Sequence, residues 1–256
     1  MSKHQITNIL FIAGIFYIFY ADFTEGIDSL VYIFYGIIYL LILFFGVVFT
    51  QFNFFVDHEL AGDARFNEIS LSFDDGPNEE YTEKILAKLD EYGIKASFFV
   101  IGANAEKNKD LVKKIYEQGH IIGNHSYTHR KSIESRKVKT IIAEIDRTNT
   151  VIKDIIGKKP LFFRPPFGLT TPRIAKAIEQ TNMVPVAWSL RTYDTKITTD
   201  KVIKKIRKRL NGGDIVLLHD NHEGILEILD FLIPYAHETG FKFVSMDQLL
   251  DKKAYE

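Results

Sequence analysis

The chain has no cysteine, which removes disulfides, thiolate metal ligands and a cysteine nucleophile from consideration. It also has no surplus of charge: 32 basic against 33 acidic residues give a formal net charge of −1. With no long run of one sign either, there is no bulk field to attract nucleic acid, and no nucleic-acid partner is expected. Nothing in the sequence points to a protein partner. Positive charge is scarcest at the N-terminus, where Lys3 is the only Lys or Arg before Arg65. Much of the chain's 21 Phe and 12 Tyr gathers in that same stretch. The 256 residues suffice for one sizeable domain plus an appendage.

The appendage has the marks of a membrane anchor. Leu30 to Phe49 runs 20 residues without a charge. At 1.5 Å per residue that is about 30 Å of helix, the thickness of a bilayer's hydrocarbon core. A buried core helix is the alternative, but soluble helices rarely stay apolar on every face. Ile6 to Tyr20 is shorter, 15 residues including Thr7 and Asn8. Phe19-Tyr20-Ala21 lacks small residues at both positions of a signal-peptidase site. One or two transmembrane helices are therefore expected within an anchor over residues 1–56, with segments near 6–20 and 30–50 joined by Ala21–Ser29. A linker over 57–67 and a folded domain over 68–256 would follow.

From Asn67 the pattern alternates. Strands are expected at Glu68–Phe73, Ala96–Ile101, Ile121–Ile122, Leu161–Phe163, Val184–Trp188, Asp214–Leu218 and Phe241–Val244. Helices are expected between them at Glu79–Tyr92, Glu106–Gln118, Lys137–Ile156, Pro172–Thr181, Thr199–Leu210 and Glu223–His237, with Gly157 stopping the longest. About seven such units argue for a parallel sheet closed into a barrel, with a doubly wound open sheet as the alternative. In both, the chemistry gathers at the C-terminal ends of the strands. Asp74-Asp75, His125, Arg164, the Trp188–Asp194 segment and His219 each follow an expected strand.

Those residues have complementary chemistry. In a helical turn His125 and His129 would share a face and grip one ion, with Asp75 as a third ligand. Two His and one carboxylate suit Zn²⁺, with Co²⁺, Ni²⁺ or Mn²⁺ as other divalent candidates. Asp74 and Asp75 would point to different sides of a continuing strand, so one can bind metal while the other takes a proton from water. A capping Asp-Gly turn is the plain structural alternative. Arg164, stiffened by Pro165 and Pro166, can hold a carboxylate ionised and oriented, although the motif alone reads more readily as an ordinary loop. His219 at a strand end is a candidate general acid, or else a satisfied core histidine.

Together these residues resemble the polysaccharide deacetylases of carbohydrate esterase family four, the NodB-homology domain. The resemblance runs from about Ile69 to Leu250. Ser72-Phe73-Asp74-Asp75-Gly76-Pro77 looks like the family's first motif and His125-Ser126-Tyr127-Thr128-His129 its second. Arg164-Pro165-Pro166-Phe167-Gly168 looks like its third and Leu217-Leu218-His219 its fifth. The resemblance implies an α/β fold, a distorted (β/α) barrel of seven strands, and hydrolysis of acetyl groups from an acetylated glycan. It implies a divalent metal on Asp75, His125 and His129, Asp74 as base, Arg164 behind it, and His219 as the acid. Tyr127, Phe167 and Trp188 are the aromatics expected to face substrate, with plain barrel core as the equal alternative for Trp188. A glycan-binding scaffold without activity and a hydrolase of non-sugar amides are the competing functions.

The fourth motif departs from the family. Where Asp-x-x-Asp-Trp is usual, with the first Asp supporting the acid, this chain has Arg191-Thr192-Tyr193-Asp194-Thr195. An Arg191 close to His219 would lower its pKa. Either Asp194 supports His219 or the acid is tuned differently. Lys3 with two spans would leave the domain in the cytoplasm. Access to an envelope glycan argues instead for a membrane-anchored protein whose domain is periplasmic or extracellular.

Overall fold

Two long helices, α1 (Lys3–Glu25) and α2 (Ser29–Val48), open the chain in the computed structural model, which describes residues 1–256. They form an antiparallel hairpin. Phe11 stacks on Tyr39 with ring centroids 3.9 Å apart, and the Tyr39 hydroxyl donates to Asn8 Oδ1 at 2.8 Å. Helix α1 extends beyond the expected 6–20 because its polar ends are capped. Ser2 and Gln5 form a capping box, and Asp22 accepts from Ile27 N and the Tyr32 hydroxyl. Apolar side chains such as Leu10, Phe16, Phe34 and Leu40 are exposed along the pair. At the outer ends Lys3 Nζ donates to Phe52 O and His4 N to Phe54 O in the segment after α2, and Thr170 N of the folded domain donates to Val47 O.

The domain follows as β1 (Glu68–Asp74), α3 (Thr82–Glu91), β2 (Ser97–Val100), α4 (Gly102–Lys107), α5 (Lys109–Glu117), β3 (Ile121–Asn124) and α6 (Val138–Ile156). Then come β4 (Phe162–Phe163), α7 (Pro172–Thr181), β5 (Val184–Pro185), β6 (Leu190–Arg191), α8 (Thr199–Arg209), β7 (Ile215–His219), α9 (Ile225–Glu238), β8 (Lys242–Phe243) and α10 (Met246–Leu250). Every strand pair is parallel, in the order β5-β4-β3-β2-β1-β7-β6, with β8 on the start of β1.

Alternation within β1 explains the layers. Leu71 and Phe73 pack with Phe98, Ile122 and Val216 against helix residues such as Ile85, Leu86 and Leu229. The intervening Ser70, Ser72 and Asp74 face the other way, as successive strand residues must. There Phe99, Phe162, Trp188 and Leu217 form a second cluster. Small hydroxyls on this side leave room for the Arg164 side chain, whose Nη1 donates to Ser72 Oγ at 3.0 Å.

The expected strand Val184–Trp188 is split in two. Its start pairs with β4 and its continuation, Leu190–Arg191, pairs with β7. One extended run therefore joins the two ends of the curled sheet, giving seven strands when β5 and β6 are counted together. Between them the chain pairs with the segment after α2. Glu59 N donates to Pro185 O at 2.8 Å and Ala187 N to Glu59 O at 2.9 Å. Gly62 N continues this with Gly213 O. Residues 59–62, within the expected linker, are thus built into the seam of a distorted (β/α) barrel.

Candidate active site

Asp74, Asn124, Phe163 and His219 sit at the C-terminal ends of β1, β3, β4 and β7, and the loops that follow converge on one mouth. This is the end at which parallel barrels carry chemistry. The register makes Asp74 and His219 direct neighbours across β1 and β7. Asp75 (φ +77°), Ser126 (+64°), His129 (+49°) and Phe167 (+60°) take left-handed backbone conformations on these loops. Each costs on the order of 1 kcal/mol for a residue with a Cβ, so surrounding contacts must hold it there.

The turn at Asp75 revises the expectation that the two carboxylates point apart. The strand ends at Asp74, and the left-handed Asp75 swings back toward the same histidine. His125 Nε2 lies 3.8 Å from Asp74 Oδ2 and 3.5 Å from Asp75 Oδ1. Gly76 allows the turn because a Cβ there would come 2.1 Å from Asp220 Oδ2. The histidine pair also arises differently from expectation. Residues 125–129 form a loop rather than a helical turn, folded by Ser126 N on Asn124 Oδ1 and His129 N on Ser126 Oγ. The two rings still come within 4.8 Å, centroid to centroid.

Asp75, His125 and His129 are the cluster that fits a metal ion. Asp75 Oδ1 is 3.5 Å from His125 Nε2 and 3.3 Å from His129 Nε2. Ligands at about 2.0–2.1 Å on a tetrahedral ion stand roughly 3.3 Å apart, so the spacing suits Zn²⁺. The tautomer is right as well. His125 Nδ1 lies 2.7 Å from Arg164 O, a pure acceptor, so Nδ1 carries the hydrogen and Nε2 presents its lone pair. Burial alone would raise the Asp75 pKa. The imidazoles of His125, His129 and His219 around it outweigh that and hold the carboxyl well below the usual range. Burial pushes His129 down to about 4, leaving it neutral and able to ligate. Asn221 Nδ2, at 3.2 Å, holds the other Asp75 oxygen.

Arg164 is fully buried behind Asp74. Its Nη1 donates to Asp74 Oδ1 at 2.6 Å, its Nε to Val186 O at 3.2 Å and its Nη2 to Ala187 O at 2.8 Å. The guanidinium also lies 4.0 Å from the Phe99 ring centroid. These contacts fix one Asp74 oxygen and leave Oδ2 directed at the His125 side. The seam run that closes the barrel thus supplies the carbonyls that position the arginine.

Asp194 is the carboxylate that reaches His219. His219 Nδ1 lies 2.9 Å from Asp194 Oδ1, and His219 N donates to Asp194 Oδ2 at 2.7 Å. Burial would lower the His219 pKa, but the Asp194 hydrogen bond and charge, with Asp74 and Asp75 beyond, raise it above the ordinary histidine value. Arg191 does not take part in this. Its guanidinium stacks over Trp188 and Tyr193. His222, which the motifs did not single out, places Nε2 3.0 Å from Asp194 Oδ2. Its spacing three residues after His219 is the only sequence signal it offers.

The three aromatics expected to face substrate separate. Phe167 is 41% exposed and packs on His129 with ring centroids 4.6 Å apart, so it borders the site. Trp188 is 2% exposed and belongs to the core, and a Cβ on Gly168 would meet its ring at 2.2 Å. Tyr127 gives its hydroxyl to Glu106 and its ring face to Arg147, 3.6 Å away. Glu144 is a further unforeseen contributor. It accepts from Tyr127 N, Thr128 N and the Thr128 hydroxyl, pinning the histidine loop to α6.

Known proteins are similar to this chain in sequence and fold. Residues 61–186 match the family model described as polysaccharide deacetylase. The peptidoglycan-N-acetylglucosamine deacetylase of Bacillus cereus is 32% identical over 207 residues, 78% of this chain and 75% of that one. The solved Bc1960 peptidoglycan N-acetylglucosamine deacetylase superposes with a TM-score of 0.73 at 31% identity, covering 78% of this chain and 95% of the other. A carbohydrate esterase family four pseudoenzyme from Bacillus anthracis superposes with a TM-score of 0.70 at 27% identity, covering 76% and 69%.

Proposed function

Because this chain belongs to the polysaccharide deacetylase family, carbohydrate esterase family four, we propose that it removes N-acetyl groups from the N-acetylglucosamine of peptidoglycan. Hydrolytic deacetylation of a glycan is the activity of the family. One observation carries the residue roles proposed for this chain: Asp74 stands between the buried Arg164 and the Asp75–His125–His129 trio, beside His219.

Asp75, His125 and His129 would hold a divalent ion, and the donor set and spacing suit Zn²⁺. When bound, such an ion supplies Lewis acidity to the acetyl carbonyl and acidifies water. Asp74 Oδ2 accepts the proton of the attacking water while Arg164 holds Oδ1. His219, with Nδ1–H on Asp194, delivers a proton from Nε2 to the departing amine. Water adds at the acyl carbon, the C–N bond breaks, and acetate and a free amine leave. Phe167 borders the acetyl end of the site.

The α1–α2 hairpin anchors the protein in a membrane with its connector on one side and the N-terminus and barrel on the other. The substrate is an envelope polymer, so the barrel faces outward. That outweighs the single charge of Lys3. Acetate release from peptidoglycan fragments is expected to stop with a chelator and return with Zn²⁺. Asp74→Asn should lower turnover about 10²-fold or more with bound metal unchanged. Release that continues at full rate in that variant sinks the assignment of Asp74. Glycan binding and metal binding without any acetate release would place the chain with the pseudoenzyme instead.

A further inference from the structure

Arg191 is the motif residue that deacetylation leaves unused, and its surroundings give it another partner. Arg191, Lys205 and Arg209 line one cavity of about 370 Å³ together with Tyr193, Asn211 and Gln51. The Arg191 guanidinium lies 4.9 Å and Lys205 Nζ 4.0 Å from the ring centroid of Tyr193, a residue 40% exposed. None of the three cations pairs with a carboxylate. The one acid on the wall, Asp214, is committed elsewhere: Oδ1 accepts from Ser189 Oγ at 2.6 Å and Oδ2 from Asn211 N at 2.8 Å. Burial and the charges of Arg191 and Arg209 hold Lys205 below the ordinary lysine value. Lys201, Lys204 and Lys208 add further positive charge along α8.

Location selects the partner. Helix α2 ends at Val48, and Phe49 and Phe52 just beyond it are 42% and 52% exposed. Gln51 lies between them. With α2 filling the hydrocarbon layer, Gln51 and the side chains sharing its cavity stand at headgroup depth. Exposed aromatics beside Lys and Arg are the side chains that suit this layer. We propose that the Arg191–Lys205–Arg209 cavity is a headgroup site that holds the phosphate of an anionic phospholipid and fixes the tilt of the barrel over the bilayer. The proposal rests on the membrane anchor described above. It also accounts for an arginine in the fourth motif where the family carries an acid.

The test uses the full chain reconstituted in phosphatidylcholine nanodiscs with a minority of phosphatidylglycerol, probed by photo-crosslinking analogues of each lipid. A cation at the surface of an anionic leaflet contributes about fivefold in affinity, so three give a preference on the order of 10²-fold for phosphatidylglycerol at low salt. Added salt should weaken it. The combined R191A, K205A and R209A substitutions should abolish the preference. K205Q with R209Q, both on a helix surface, should reduce it about 25-fold on the same per-charge basis without disturbing the fold. Equal labelling by both lipids overturns the proposal while leaving the anchor standing. A native chain that fails to enter the discs overturns anchor and proposal together. An intact lipid preference in the triple variant, with a raised KM for anionic wall fragments, would assign the cations to substrate and overturn it as well.

Discussion

Replacing Asp194 by Asn tests the acid half of the site with almost no change in volume. Asp194 faces three N–H groups, from His219 N at 2.7 Å, His219 Nδ1 at 2.9 Å and His222 Nε2 at 3.0 Å. An amide has only one oxygen. If that oxygen serves His219 Nδ1, the NH₂ is pressed against the other two donors. If it turns, the NH₂ meets Nδ1 and selects the tautomer in which Nδ1 is an acceptor. Both orientations also remove the negative charge that favours the imidazolium. A hydrogen bond to a charged group is worth about 1.5–3 kcal/mol. The His219 pKa should therefore fall. The acid works only while protonated, so activity is lost as pH rises through its folded pKa. That pKa is raised in the native chain, and Asp194→Asn moves the alkaline limb of kcat/KM to lower pH. At neutral pH the loss should be about 10²-fold on the amide substrate, within the range of general acid catalysis, with bound metal unchanged. Aryl acetates, whose leaving group needs no proton, should be spared. An alkaline limb that stays in place, or equal losses on amide and aryl ester, would refute the role of Asp194.

Other outcomes follow from the same geometry. His222→Ala removes a donor to Asp194 and should cost about tenfold on the amide substrate, whereas His222→Gln, which retains an N–H, should recover most of it; equal losses in both would show that His222 only packs. Arg164→Met leaves the Asp74 carboxylate buried without its partner and should lower unfolding stability by about 3–5 kcal/mol in denaturant titration. Adding Asp74→Asn to it should restore part of that loss, and strictly additive values would deny the coupling. Asp220 is fully buried, and burial raises its carboxyl to about 7 from 3.8. Because the folded pKa is the higher one, the unfolded chain releases this proton first as pH rises from about 4 to 7. Stability then falls by on the order of 4 kcal/mol through this group. Asp220→Asn should flatten that part of the stability profile relative to the native chain, and an unchanged slope would refute it.

What the chain displayed in advance was whatever depends on neighbours in sequence. Alternation in Glu68–Asp74 and the apolar run Ile215–Leu218 marked strands, and the residues that follow them marked the mouth of a barrel. Asp75, His125 and His129 were legible as a set because residue type alone narrows metal ligation. Their geometry was not. The left-handed turn at Asp75 depends on Asp220 packing beside Gly76 from another strand end, and the histidine loop is shaped by Glu144 on α6. Val184–Arg191 reads as one strand up to Trp188, yet it serves two edges because residues 59–62 insert between them, a pairing across more than a hundred residues.

The fourth motif shows how this affects function. Read along the chain, Arg191 in place of an acid threatens the proton donor. In three dimensions the donor depends on which carboxylate reaches His219 Nδ1, and Asp194 does so while Arg191 lies over Trp188 and Tyr193. Thr192 makes the difference local. Its hydroxyl is 2.6 Å from Leu217 O and 3.0 Å from Asp194 Oδ1, tying the loop to β7 two residues before His219. Loop and acid are thereby held to the same strand, so a change at Arg191 leaves the Asp194–His219 pair in place. The position is then free to serve a surface that the chemistry does not touch. A single substitution therefore separates the two duties: Arg191→Gln should leave acetate release from soluble glycan fragments within about twofold, since it breaks no contact to His219 or Asp194. A large loss in that assay, accompanied by a moved alkaline limb, would mean that Arg191 acts on the acid after all.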